Sequence, residues 1–220
     1  MNKKIKIIDL STRNGISRIK LNDPITYNSL SLNMLKTLIK CFKNLNHDTK
    51  TKVIIIEGSG KGFCAGHNLK EIISLKGKPE YQKLFNLCSE LMISITNNNK
   101  PVIAKVHGAA FAAGCQLVAT CDLALSTDDA IFATPGVNIG LFCSTPMVAV
   151  SRSVNKKDTM KMILTGEPIT AKYAKEIGLI NDYFKNSQLE EKIINLAETV
   201  ASKSNKVMKI GKKAFYKQLE

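Results

Sequence analysis

The chain has 220 residues, 44% of them apolar, enough for one domain with a substantial core. Its formal net charge of +14 comes almost wholly from lysine, since Arg13, Arg18 and Arg152 are the only arginines. The lysines are dispersed and not interleaved with aromatics, which argues against a nucleic-acid groove and leaves two readings. One is a solvated lysine surface; the other is a field that suits a polyphosphorylated small ligand such as a nucleotide or coenzyme A.

No run is long and apolar enough to span a bilayer. The start, Met1-Asn-Lys-Lys-Ile-Lys-Ile-Ile, has neither a secretory apolar segment nor a clear transit-peptide pattern, so a cytoplasmic location is expected. Six cysteines (Cys41, Cys64, Cys88, Cys115, Cys121 and Cys143) lack metal-type spacing and read as reduced, mostly buried thiols.

In chain order, Lys4 to Leu10 and Ile16 to Leu21 read as strands joined across Thr12-Arg13-Asn14-Gly15, where Asn-Gly is a hairpin signal. After the turn Asn22-Asp23-Pro24, Ser29 or Ser31 caps a helix whose apolar positions are Leu32, Leu35, Leu38, Ile39, Phe42 and Leu45. Val53 to Glu57 is β-branched and reads as a central strand. Gly58-Ser-Gly-Lys-Gly62 follows, and its spacing is not that of a phosphate-binding loop. Phe63 to Ile72 passes from a small-residue turn into a helix, and Tyr81 to Ile95 is helical.

The stretch Pro101 to Asp122 organises the chain. Val102 to Val106 reads as a buried strand; then come Gly108, Ala109, Ala110, Ala112, Ala113 and Gly114, and after Gly114 the pattern turns helical. A strand delivering a small-residue turn to a helix N-terminus points free N–H groups at a ligand. Small residues equally permit tight packing of a helix on a sheet, and both readings stand here. Beyond it, Leu123 to Ser126 and Ile131 to Thr134 read as strands and Pro135 to Gly140 as a loop. Helices are expected around Met147 to Val154, Lys157 to Leu164 and Thr170 to Ile177. A strand at Leu179 to Phe184 precedes helices to the end. Repeated β-β-α units with a helical C-terminal part predict an α/β fold.

Three ordered motifs carry a resemblance across the whole chain: Phe63-Cys-Ala-Gly-His-Asn-Leu-Lys-Glu-Ile, then His107-Gly to Cys121-Asp122, then Leu164-Thr-Gly-Glu-Pro-Ile-Thr-Ala with Ala174-x-x-x-Gly178-Leu. They resemble the crotonase, or enoyl-CoA hydratase/isomerase, superfamily. The resemblance implies a single domain over 1–220: a β-β-α spiral over 1–185 and the start of a helical region over 186–220. It also implies assembly as a homotrimer or pair of trimers. The implied ligand is an acyl-CoA or enoyl-CoA thioester, with coenzyme A carried on the substrate and no further cofactor, nucleic acid or membrane partner.

By motif position the backbone amides of His67 and Ala113 are implied as the oxyanion hole, with Gly114 beside Ala113. Ala65, Gly66, His67, Asn68, Leu69 and Lys70 line the coenzyme path, Lys70 being the charged contact. The family's two hydratase glutamates fall on Gln116 and Gly136, neither of which exchanges a proton at neutral pH. General acid–base groups each contribute roughly 10²–10⁴-fold, so hydratase turnover is expected to be nearly abolished. The alternative is a non-catalytic or regulatory acyl-CoA binder.

The His67 imidazole either substitutes as a base or simply packs beside the ligand. His107 reads as a hydrogen-bonded structural residue and Asp122 and Glu57 as capping or pairing groups; Cys143-Ser144 lies in a loop where the sequence places no base, which argues against a nucleophile there. Family members generally continue past Phe215-Tyr-Lys-Gln-Leu219, so the end at Glu220 predicts either a fragment or a more open site.

Overall fold

The computed structural model describes residues 6–219. Strands β1 (Ile8–Arg13) and β2 (Ile16–Leu21) form an antiparallel hairpin that pairs Arg13 with Ile16 and Ile8 with Leu21. The turn is tighter than the sequence suggests: Thr12 and Arg13 are in the strand, and only Asn14 (φ 51°) and Gly15 (φ 80°) are in the connection. Two successive positive φ angles match the twist of the flanking strands, which is why Asn-Gly outcompetes a four-residue turn. The start of the expected strand at Lys4 lies outside the described residues.

Helix α1 (Leu32–His47) is capped by Ser31, whose Oγ accepts the Met34 N–H at 3.2 Å. It buries Met34, Leu35, Leu38, Ile39, Phe42 and Leu45 along one stripe. Then follow β3 (Val53–Gly58), α2 (Leu69–Ser74), α3 (Lys78–Thr96) and β4 (Val102–Val106). The chain continues through β5 (Ala109–Phe111), α4 (Ala113–Thr120), β6 (Leu123–Thr127) and β7 (Ile131–Ala133). After a 3₁₀ turn at Pro135–Ile139 come α5 (Ser144–Ser153), α6 (Lys156–Thr165), β8 (Ile169–Thr170) and α7 (Ala171–Glu176). Strand β9 (Asp182–Phe184) and helices α8 (Asn186–Ala201) and α9 (Asn205–Gln218) complete it.

The large sheet has the order β1-β2-β3-β4-β6-β9 and is parallel from β2 onward. A second sheet, β5-β7-β8, pairs β5 parallel to β7 and β7 antiparallel to β8. In two successive passes, β4 to β5 and β6 to β7, the chain gives one strand to each sheet before a helical segment, so the expected α/β spiral is present. The central strands read as continuous apolar runs because both faces are covered. Ile54 and Ile56 of β3 join the core with α1 and α3, whereas Val53 and Ile55 pack on Leu189, Ile193 and Ala197 of α8.

Several expectations shift. Strands β5 and β8 were not expected at all; they are three and two residues long. The expected strand from Leu179 begins only at Asp182, with Leu179 and Ile180 buried on the approach. Pro135–Ile139 is a 3₁₀ turn and not an open loop. Ser144 opens α5, so Cys143-Ser144 lies at a helix start. Helix α4 begins at Ala113, one residue before Gly114, because Ala112 and not Gly114 makes the turn.

Candidate functional site

The two small-residue turns foreseen separately are one structure. Cys64 and Ala110 form a parallel bridge, with the Phe111 N–H donating to Cys64 O at 2.9 Å and the Cys64 N–H to Ala109 O at 3.1 Å. Glycines let the segments touch: a Cβ on Gly114 would sit 2.1 Å from Cys64 O. One on Gly66, which has φ +91°, would sit 2.9 Å from Ala112 Cβ and 3.1 Å from Ala113 N. The Ala113 amide therefore lies against the turn that carries His67.

Ala112 is held at φ 48° and ψ −116°, a region alanine rarely adopts, and its N–H donates to Ala133 O at 2.8 Å. That turn throws the chain directly into α4. The first α4 hydrogen bond closes from Gln116 N–H to Ala112 O at 3.0 Å, and the Ala113, Gly114 and Cys115 amides find no acceptor among the described residues. Neither does the His67 amide. These unsatisfied N–H groups lie on either side of the contact between the turns.

Around these amides, Asn68 accepts the Glu71 N–H at 3.2 Å and so caps α2, and Glu71 Oε2 accepts the Leu32 N–H at 2.9 Å. Ala65, Leu69 and Lys70 face outward. The His67 ring donates Nδ1–H to Leu30 O at 3.3 Å and stands edge-on to Phe85 of α3, with centroids 5.6 Å apart. Its Nε2 is buried without a partner. Burial pushes the imidazole below its usual value, with the Leu30 bond and Glu71 opposing, so the neutral form prevails at pH 7.

Residues 11–220 match the family description "Enoyl-CoA hydratase/isomerase". The chain belongs to this family. Over 211 residues it is 47% identical to "Enoyl-CoA hydratase domain-containing protein 3, mitochondrial" of Rattus norvegicus, covering 95% of this chain and 70% of that protein. The crystal structure of human enoyl-CoA hydratase domain-containing protein 3 superposes with a TM-score of 0.94 at 44% identity, covering 97% of this chain and 85% of the other. The enoyl-CoA hydratase of Mycobacterium smegmatis gives 0.96 at 42% identity, covering 98% and 84%.

Against other members of the enoyl-CoA hydratase/isomerase family, the positions expected to matter can now be placed. Gln116, 4% exposed, lies one turn into α4, and its Oε1 accepts from the Cys88 thiol at 3.7 Å. Gly136 is buried in the 3₁₀ turn, and a Cβ there would meet Leu141 O at 2.5 Å and Cys143 Sγ at 2.8 Å. Burial pushes the thiols of Cys64, Cys88 and Cys115 up to about 12 and raises that of Cys143 as well. Cys143 is thus held as a protonated thiol, the wrong direction for a nucleophile.

His107 Nε2 bonds Gly60 O at 2.9 Å, the structural role expected of it. Asp122 pairs with Lys212 at 2.6 Å and accepts the Val102 N–H at 2.7 Å and the Tyr216 hydroxyl at 2.9 Å. Glu57 pairs with Arg18 at 2.9 Å and Lys105 at 3.1 Å. Sequence reasoning missed Phe85, Cys88 and Leu30 as neighbours of the site. The cue was the i, i+3 spacing of Phe85 and Cys88 on one face of α3, where one reaches His67 and the other Gln116.

Proposed function

We propose that this protein binds an acyl-CoA thioester, places its carbonyl oxygen between the His67 and Ala113 amides, and carries out hydratase-like or isomerase-like chemistry through an enolate. The observation that carries the reading is the pair of unsatisfied amides on two turns locked together at Cys64–Ala110. Ala65 to Lys70 form the coenzyme path, with Lys70 facing the phosphates. Coenzyme A arrives with the substrate, and the reaction calls on no other cofactor.

Ordinary hydration is expected to be slow because the positions matching the family's glutamates are Gln116 and Gly136. Those same two residues favour the second reading, an acyl-CoA binder with little turnover. We assign assembly as a homotrimer or pair of trimers, supported by family membership and by Ile139, Leu141 and Phe142 exposed within one segment. Six free thiols support a reducing compartment, for which the cytoplasm and the mitochondrial interior of the named relatives both qualify.

Calorimetry with acyl-CoAs of several chain lengths should show saturable binding at ordinary salt, and Ala113→Trp should weaken it more than about tenfold, the 1.4 kcal/mol equivalent of crowding the carbonyl out. A folded protein that binds none of them has a different function. Crotonyl-CoA hydration measured alongside separates enzyme from binder: turnover barely above background is expected.

A further inference from the structure

Resting on the acyl-CoA reading, we propose that the His67 side chain is a catalytic base, its Nε2 removing a proton from the carbon next to the thioester carbonyl. The ring has one nitrogen committed and one free. Nδ1–H donates to Leu30 O at 3.3 Å, which fixes the tautomer and leaves the lone pair on Nε2. That nitrogen is buried and meets no donor among the described residues, a costly arrangement for an acceptor unless something else supplies a proton or a hydrogen bond.

Ring position is set from two sides. The Phe85 ring stands edge-on with the two centroids 5.6 Å apart, and one turn further along α3 Cys88 touches Gln116. The imidazole and the head of α4 therefore face the same interval between α3 and the paired turns. The imidazole also shares its residue with one of the two amides aimed at the carbonyl, so a thioester held there is brought to the ring by the same backbone.

The step is balanced without a co-reactant. The Cα–H bond breaks and its electron pair becomes the enolate C=C. The carbonyl π pair moves to oxygen, where the His67 and Ala113 amides stabilise it, and a new Nε2–H bond forms. The imidazolium keeps its bond to Leu30 O, returns the proton to the same carbon or exchanges it with water. Around the ring the groups are Glu71 from α2, whose charge favours the imidazolium, the Leu30 carbonyl at the head of α1, and the apolar Phe85 from α3. Gln116 is an amide and Gly136 has no side chain, so neither can take the proton, and Glu71 Oε2 is engaged by the Leu32 N–H.

The test is exchange of the α-hydrogens of butyryl-CoA, which has no double bond to hydrate, in deuterium oxide, read by proton NMR beside calorimetric binding. Wild-type protein should place deuterium at the α-carbon only. Its rate should rise with pH to an inflection below the ordinary imidazole value of 6.5 and stay flat above. His67→Gln keeps a donor and an acceptor but cannot carry a proton, and at saturating butyryl-CoA, with occupancy measured by calorimetry, it should lose at least about 10²-fold in exchange. His67→Ala should show the same loss, with thermal melting confirming the fold of both. Exchange at the wild-type rate in His67→Gln overturns the proposal. So does a wild-type protein that binds butyryl-CoA without exchanging it, a result that leaves the acyl-CoA reading standing. Failure to bind at all removes that reading and the proposal with it.

Discussion

At Gly136 the structure answers a question that residue identity poses but cannot resolve. Glycine at a position that the family resemblance assigns to a glutamate reads as a missing acid, and the obvious change is to introduce one. Yet a Cβ at this point would lie 2.5 Å from a backbone oxygen, Leu141 O, and 2.8 Å from Cys143 Sγ, so the turn leaves no room for a side chain. Backbone gives way less easily than a flexible side chain, and overpacking of this kind costs about 1–3 kcal/mol. Gly136→Glu should therefore lower the melting temperature and leave crotonyl-CoA hydration near background, alone or with Gln116→Glu. A stable double variant with restored hydration would show that the turn opens freely. The identities of Gln116 and Gly136 could be read from the chain; the crowding could not, because it depends on Leu141 and Cys143 folding back five and seven residues later. The small-residue stretch shows the same limit. Of its two readings, close approach to a ligand and tight packing, the structure bears out the second at two glycines. Gly114 and Gly66 pack the turns together, while Ala113 presents the free amide.

Among the elements, α9 is anchored by a charged side chain. None of its residues is buried, and Val207, Ile210 and Phe215 face outward. Its anchor is Lys212, whose side chain is 7% exposed and which donates to Asp122 at 2.6 Å, to Ile95 O at 2.9 Å and to Lys100 O at 3.0 Å. Tyr216 adds a bond to the other Asp122 oxygen. Losing one partner of such a pair strands a charge away from water, at a cost of about 3–5 kcal/mol. Lys212→Met keeps the length and apolar stem but removes the ammonium. Amide hydrogen exchange across 205–218 should then quicken to near the rate of an unprotected helix, with the sheet amides unchanged. Unaltered protection of α9 would mean that its apolar contacts suffice. Helical periodicity made α9 foreseeable, and Asp122 was foreseen as a pairing group, but its partner lies 90 residues further on and no local pattern signals it. Strands β5 and β8 escaped for another reason: two or three residues give no alternation to read, and only pairing with β7 makes them strands.

Across the whole molecule, the alternation within β2, β3 and β4 feeds two cores on opposite faces of one sheet, and α8 closes the second with Leu189, Ile193, Ala197 and Ala201. That much follows from β-branched runs and an amphipathic helix. The charges that tie α8 down do not, since they come from four separate elements. Arg18 of β2 and Lys105 of β4 both contact Glu57 of β3, and both reach across to Glu190 of α8. Hydrogen bonding to Arg18 first, and to Lys105 next, holds the Glu190 carboxyl down at about 2 against an ordinary 4.5. A carboxyl depressed in the folded state stabilises fully above its unfolded value, and that stability fades as pH falls from 4.5 toward 2. Glu190 is half exposed, so the effect is modest and screened by salt. Glu190→Gln should make the protein less stable at pH 7 and flatten its stability profile between those two values, the gap from wild type narrowing as acid is added. Denaturant melts monitored by circular dichroism at low and high salt would measure it. Parallel profiles for the two proteins at low salt would show that α8 is held by its apolar face alone.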